Sequence, residues 1–342
     1  MESLFNAEKI GKEPLSPLGV CYQKLNSLCE DTVIRFYDVI RDFVFQKIDY
    51  YKVLGMMPIW ITDAGISPEL PCSKDWYEVL KNKAEHPLFG RMIYYNDLCT
   101  KLSAIQDRIC AVVSFMHGFY GIVPCIAHYE ESQYTGAARC GGLRETEAHV
   151  LLNSIFVAYA SIFDILAKVA IEEHVFDSYD FSKYNKMKSG DSLYNRYEKN
   201  INPILKSQGL LFAEPPVIRK IETFRNEFVH NGPWDLRCSI YNTCIDGEPA
   251  DVIIYSPDMD EFGNFVKSGS RNKFYSQANR INIQLPDIII EATDIVKNTI
   301  EKLMELYQAR TTNQIDQEYT KECEQAILKY TQKSCEQKSN NF

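Results

Sequence analysis

The stretch that decides the fold class lies at residues 145–173 and reads ETEAHVLLNSIFVAYASIFDILAKVAIEE. It is apolar on nearly every side, which is typical of a helix buried at the centre of a protein. Its few polar side chains include Asp164 and Lys168, and a charged pair near the middle argues against a lone membrane span. We therefore predict a soluble protein built around one central buried helix.

The rest of the chain is also predicted to be mostly helical. Apolar residues recur at three- and four-residue spacing over 33–48 and 98–116, so residues 1–140 are predicted to form an N-terminal helical region of unknown role. A polar stretch with glycines near residue 140 marks a domain boundary. Residues 141–310 then form a helical domain, and the polar residues 311–342 form a C-terminal helix or tail.

Five elements are predicted in the second half of the domain. Helices are expected over Ser192–Ser207 and Pro215–His230, and a β-hairpin is expected around Asp246-Gly247, with strands at 238–241 and 252–255. A short strand is expected at Asn282–Leu285, followed by a long amphipathic helix from Pro286.

Composition indicates the cellular compartment of the protein and the kind of ligand that it binds. The chain has 342 residues, eleven cysteines and a net charge of −9. Cys99, Cys110 and Cys323 lie in apolar-periodic segments and the N-terminus has no signal-peptide pattern, so we expect reduced thiols in the cytoplasm. Residues 181–230 nevertheless carry nine Lys and Arg against five Asp and Glu, and residues 262–286 carry four basic residues and no acid. Such local basic segments are compatible with a phosphate-backbone ligand.

A short motif lies at the end of a predicted helix. Residues 217–233 read VIRKIETFRNEFVHNGP. Asn231-Gly232-Pro233 predicts the helix end, so Arg225, Asn226 and His230 are gathered on the last two turns. At about 100° per residue, these three side chains lie beside the apolar face of the helix. A cation, an amide and a proton-transfer group are what metal-free cleavage of a phosphodiester requires.

The residues alone leave two interpretations open. One is a catalytic site. The other is a structural ion pair between Arg225 and Asp164, with His230 satisfying carbonyls at the helix end.

The pattern Arg-Asn-x-x-x-His resembles the signature of the HEPN superfamily, whose catalytic members are metal-independent ribonucleases. The similarity covers about Gly141 to Arg310. It implies an HEPN-like helical bundle with a small β-hairpin insertion, preceded by the N-terminal helical region. It also implies that Arg225 and His230 are the catalytic pair, Asn226 the second motif residue and Asp164 the supporting acid.

From this resemblance we expect a metal-independent endoribonuclease that acts through the RNA 2′-hydroxyl, an effector of bacterial toxin–antitoxin or phage-defence systems. No metal and no cofactor are expected. The family likeness implies a homodimer with a composite cleft, and the N-terminal region is expected to bind a regulatory protein. The alternative is a non-catalytic HEPN-like module that binds a nucleotide or a protein.

A group of basic side chains is expected to hold the RNA phosphates: Lys183, Lys186, Lys188, Arg196, Lys199, Arg219 and Lys220. Tyr184, Tyr194 and Tyr197 lie among them, either to stack bases or simply to pack in the core.

Overall fold

The structure, a computed structural model, describes residues 15–56, 64–66, 72–82, 84–127, 136–190, 192–194, 201–235, 238–245, 248–311 and 314–340. These residues are mostly helical and include one small antiparallel sheet. The predicted mostly-α class is therefore confirmed.

The α-helices and β-strands follow one another in this order: α1 Pro17–Ser27, α2 Ile34–Val44, α3 Tyr50–Leu54, α4 Lys74–Asn82, α5 Pro87–Ala127, β1 Gly136–Cys140, α6 Leu143–Val175, α7 Pro216–Asn231, β2 Ile240–Ile245, β3 Glu248–Ile253, α8 Ile281–Ala309 and α9 Gln317–Asn340. A single π-helical turn, Leu28–Val33, joins α1 to α2. Helix α6 confirms the helix predicted over residues 145–173.

The chain forms two compact units, each assembled from three segments. Unit 1 comprises Met1–Asp31, Ile109–Ala160 and Glu214–Lys297, and unit 2 comprises Thr32–Arg108, Ser161–Ala213 and Asn298–Phe342. Three of the five segment boundaries therefore fall inside α5, α6 and α8. The sequential division at residues 140 and 310 remains a prediction.

In unit 1, the apolar face of α7 packs on α6. Phe224 is fully buried, and its ring centroid lies 4.7 Å from that of Phe156. Trp234, just beyond α7, lies 4.9 Å from the rings of both Phe224 and Phe228. Burial of one phenylalanine contributes about 2 kcal/mol, so this aromatic cluster anchors the motif helix firmly.

The sheet of unit 1 has three strands in the order β1-β2-β3. The predicted hairpin is present, but its strands β2 and β3 lie closer to the turn than predicted. Strand β1 pairs antiparallel with β2, and Arg139 stands opposite Tyr241. Sequence analysis assigned the β1 region to a domain boundary, because pairing between residues a hundred positions apart leaves no local pattern.

Helix α8 begins at Ile281, so the predicted strand at 282–285 and the predicted helix start at Pro286 are both wrong. A proline inside a helix removes one N–H and leaves the carbonyl four residues earlier without its usual partner. Here that carbonyl belongs to Asn282, and it accepts a hydrogen bond from the Tyr120 hydroxyl at 2.8 Å. The helix tolerates the proline because a side chain replaces the missing donor.

Unit 2 is built around a second aromatic cluster. The Tyr307 ring lies 4.8 Å from that of Phe43, and its hydroxyl donates to the Val169 carbonyl at 3.1 Å. Helix α9 packs here through Tyr330, whose ring lies 4.9 Å from that of Phe89. The C-terminal tail is therefore a docked helix over Gln317–Asn340.

The helix predicted over Ser192–Ser207 is not continuous. Residues 192–193 are not helical, and the segment's described remainder from residue 201 contains only the 3₁₀ turn Pro203–Lys206. Pro203 starts that turn, and the residue before a proline avoids the α-helical region.

Among the residues that the structure describes, two helices are long and apolar enough, by length and composition alone, to cross a membrane. Their richest 18-residue windows have mean hydropathies of 1.8 in Pro87–Ile126 and 1.9 in Leu143–Ser178, with 33% and 56% of the window buried. Core helices of soluble proteins have the same composition. In the first window the buried residues recur every three or four positions, as on a helix packed along one face.

Candidate functional site

The motif lies at the C-terminal end of α7, as predicted. Pro216 occupies the first turn, where its missing N–H leaves no hydrogen bond unmade. The helix ends at Asn231 because Gly232 has φ 87° and ψ −171°, a conformation that only glycine adopts readily. His230 therefore lies in the last helical turn, and its side chain is exposed.

Arg225 and Asn226 form a direct contact beside the core face. The Arg225 Nη1 donates to Asn226 Oδ1 at 2.9 Å, and both side chains are half-buried. This bond fixes the amide oxygen toward the guanidinium and leaves the NH₂ group, on the other branch of the planar amide, as a donor. The motif thus offers donors from a cation and an amide within the same last two turns as an exposed imidazole.

Glu227 is the motif residue that sequence analysis did not single out. Its side chain is buried, its Oε2 accepts from Asn231 Nδ2 at 2.9 Å, and its Oε1 pairs with the Lys273 ammonium. The signal was present in the sequence, because Glu227 follows Phe224 by three residues and so shares the buried side of the helix. A carboxylate on that side needs a cation, and Lys273 supplies it from far along the chain.

Lys273 belongs to the segment Ser256–Arg280, which we call the docked loop. Three further contacts hold this loop on the motif helix and on Trp234, just beyond it. Thr223 Oγ1 donates to the Gly263 carbonyl at 2.9 Å, and the Tyr275 hydroxyl donates to the Trp234 carbonyl at 3.1 Å. A Cβ on Gly263 would lie 2.3 Å from the Pro216 carbonyl oxygen, so only glycine permits this close approach.

Asp164, the predicted supporting acid, belongs to unit 2, whereas Arg225 belongs to unit 1. One carboxylate oxygen of Asp164 accepts from the backbone N–H of Tyr194 at 2.8 Å. The predicted pairing of Asp164 with Arg225 stays a prediction.

Three of the predicted RNA-binding lysines are exposed in unit 2. Lys183 pairs with Asp180 at 3.3 Å, and Lys188 Nζ donates to the Ser178 carbonyl at 3.0 Å. Lys186 borders a cavity of about 480 Å³ together with Lys188. Arg196, Lys199 and Tyr197 lie outside the described residues.

Two more predicted RNA-binding residues are on α7 itself. Arg219 pairs with Glu214, which compensates its charge. Lys220 is half-buried, and burial lowers the pKa of its ammonium although Glu291 raises it. Lys220 borders a cavity of about 280 Å³ that also touches Asp260 of the docked loop.

Tyr184 and Tyr194 are core residues. Both side chains are buried, and their hydroxyls donate to Asp97 and to the Leu211 carbonyl, respectively. The packing interpretation is confirmed for this pair, since a ring that stacks on a base must be accessible.

Comparisons of this chain with protein-family models, with curated proteins and with solved structures find no match.

Proposed function

We propose that this protein is a metal-independent endoribonuclease whose site is the C-terminal end of α7. The observation that supports this best is the grouping of Arg225, Asn226 and His230 at one helix end, with the imidazole exposed to an incoming phosphate. The resemblance to HEPN ribonucleases supports the same proposal.

The reaction is a transesterification. The RNA 2′-hydroxyl attacks the adjacent phosphorus and loses its proton, while the P–O5′ bond breaks and the 5′-oxygen gains a proton. The products are a 2′,3′-cyclic phosphate and a 5′-hydroxyl. His230 transfers protons, and Arg225 stabilises the negative charge that develops on the phosphorane oxygens. Asn226, fixed by Arg225, donates its free N–H to a phosphate oxygen.

The wider proposal includes the HEPN-like fold, Asp164 as supporting acid, and a homodimer in which two motifs share one cleft. It places the protein in the cytoplasm as a toxin–antitoxin or phage-defence effector. Residues 1–140 bind the regulatory partner.

The second candidate is a non-catalytic HEPN-like module that binds a nucleotide or a protein. The contacts within the motif favour it, since Arg225 donates to Asn226 and Glu227 pairs with Lys273 without any substrate. Binding of a nucleotide without turnover would distinguish this module from the enzyme.

The test is incubation of the purified protein with RNA in EDTA, beside His230→Ala and Arg225→Ala. We expect metal-free cleavage, and a loss of at least about a hundredfold for each variant. His117→Ala is the matched control, because His117 is also an exposed histidine of unit 1. Cleavage that requires added metal, or that survives both substitutions, contradicts the proposal.

A further inference from the structure

The docked loop presents a tight tip with cations on both sides. Ser268 and Arg271 exchange backbone hydrogen bonds of 2.8 and 3.0 Å, and Gly269 between them has φ 55°. Lys267 and Arg271 flank this tip, and both are exposed. The backbone bonds fix the turn from which the two side chains extend.

The remaining charges of the loop are largely compensated within the fold. Lys273 pairs with Glu227, and Arg280 pairs with Asp251. Asp258, the first acid of the loop, accepts hydrogen bonds from the backbone N–H of Ser276 and from the Asn279 side chain.

Asp260 accepts the backbone N–H groups of Phe262 and Asn264, at 3.0 and 2.8 Å. Glu261 is exposed beside it. In the part of the chain that the structure describes, neither Lys267 nor Arg271 forms an ion pair. The cations at the tip are therefore the ones available to an anionic ligand.

Exposed aromatic rings lie in the same loop as these cations. Phe262 is 59% exposed, which is unusual for a phenylalanine that is otherwise held in ordered backbone, and Phe274 is 36% exposed. From Phe262 to the end of the loop there is no acidic residue. A surface that carries both aromatic rings and uncompensated cations suits single-stranded nucleic acid, because bases stack on the rings and phosphates contact the cations.

The position of the loop connects this surface to the motif. The Thr223–Gly263 hydrogen bond and the Glu227–Lys273 ion pair attach the loop directly to α7, two residues before Arg225 and two after it. A strand bound to the loop is thus held on the helix that carries the motif, within the same compact unit.

We infer that the docked loop is a binding surface for single-stranded RNA, with Lys267 and Arg271 contacting phosphates and Phe262 stacking on a base. The idea that the loop delivers substrate to His230 rests on the proposed function. As a binding surface, it is tested independently of cleavage.

The experiment measures fluorescence anisotropy of a labelled 12-nucleotide 2′-O-methyl RNA, which lacks the nucleophilic hydroxyl and cannot be cut by transesterification. The full chain should bind the single strand, and a duplex of the same sequence should bind more weakly because its base faces are stacked. Phe262→Ala should weaken binding at least about fivefold. Lys267→Ala and Arg271→Ala should each reduce the slope of log affinity against log salt by about 0.7.

Two matched controls accompany these variants. Leu143→Ala removes a side chain of unit 1 that is 85% exposed, and Lys321→Ala removes an exposed lysine of α9. Both should leave the affinity unchanged. Equal binding of duplex and single strand, or loop variants that behave like the controls, would overturn the inference.

Cleavage of unmodified RNA is measured in parallel. Loop-dependent binding without cleavage supports the binding surface and contradicts the ribonuclease proposal. Cleavage that is unaffected by the three loop variants contradicts the delivery of substrate from the loop to His230 and leaves the ribonuclease proposal standing.

Discussion

The Glu227–Lys273 ion pair gives the sharpest prediction about stability. The Glu227 side chain is 7% exposed and that of Lys273 is 24% exposed. Glu227→Gln retains an amide oxygen for Asn231 but leaves the Lys273 ammonium three-quarters buried without its carboxylate. Breaking a fully buried pair costs about 3–5 kcal/mol, and the partial exposure of Lys273 reduces this to about 2 kcal/mol. The melting temperature should fall by about 4–8 °C.

A double-mutant cycle isolates the pair. Lys273→Met alone should destabilise the protein by about 3 kcal/mol, because the better-buried partner is left charged. The double variant, which buries neither charge, should be more stable than the sum of the two losses predicts, by about 2 kcal/mol. Chemical denaturation monitored by circular dichroism measures all four proteins. Additive losses, or a Glu227→Gln protein as stable as the original, would refute this reasoning.

An exposed pair provides the control for the same cycle. Lys302 and Glu305 are i,i+3 neighbours on α8, and the Glu305 side chain is 63% exposed. Glu305→Gln should cost less than about 0.5 kcal/mol. Hydrogen exchange adds a local measurement, since Glu227→Gln should accelerate exchange in the docked loop more than elsewhere.

Three further predictions concern other contacts. Gly263→Ala should destabilise the protein by at least about 2 kcal/mol, because the new Cβ collides with α7 and the backbone is strained. Gly121 is a helical position with open space around it, so Gly121→Ala should be neutral or stabilising in the same melting experiment. Slight burial raises the pKa of Asp258, but hydrogen bonds from the loop outweigh it and hold that pKa below the usual 3.8. The contribution of Asp258 to stability is therefore present above pH 3.8 and lost as the pH falls below it. Limited proteolysis in acid should begin in the docked loop. Asp258→Asn should permit cleavage of the same loop at neutral pH. Arg310→Met should cost about 2–4 kcal/mol, because it leaves the Glu173 carboxylate buried without its cation; unchanged melting would contradict this.

The sequence predicted the motif helix well because its signals are local. The apolar face with Phe224 at its centre, the proline at the first turn and Gly232 after the last turn all act within a few residues of one another. The same pattern placed His230 in the last turn, and the structure adds that its side chain is exposed. A helical wheel also holds the information that Glu227 is buried, although its cation could not be deduced.

The parts that sequence analysis missed depend on distant contacts. Strand β1 exists because it pairs with β2, and the early start of α8 depends on the Tyr120 hydroxyl near Asn282. The basic composition of residues 262–286 was visible, but its attachment to α7 was not. Gly263 is an ordinary loop glycine in the sequence, and only the structure shows that it allows the loop to approach the helix.

The chemistry of the RNA ends after cleavage in EDTA tests the central claim most directly. Mass spectrometry of the products should show a 2′,3′-cyclic phosphate and a 5′-hydroxyl, because the account assigns the attack to the 2′-oxygen with His230 moving the protons. A single 2′-deoxy substitution at the cleaved position should abolish the cut there. Products with a 5′-phosphate and a 3′-hydroxyl, or no cleavage by the pure protein, would contradict the account.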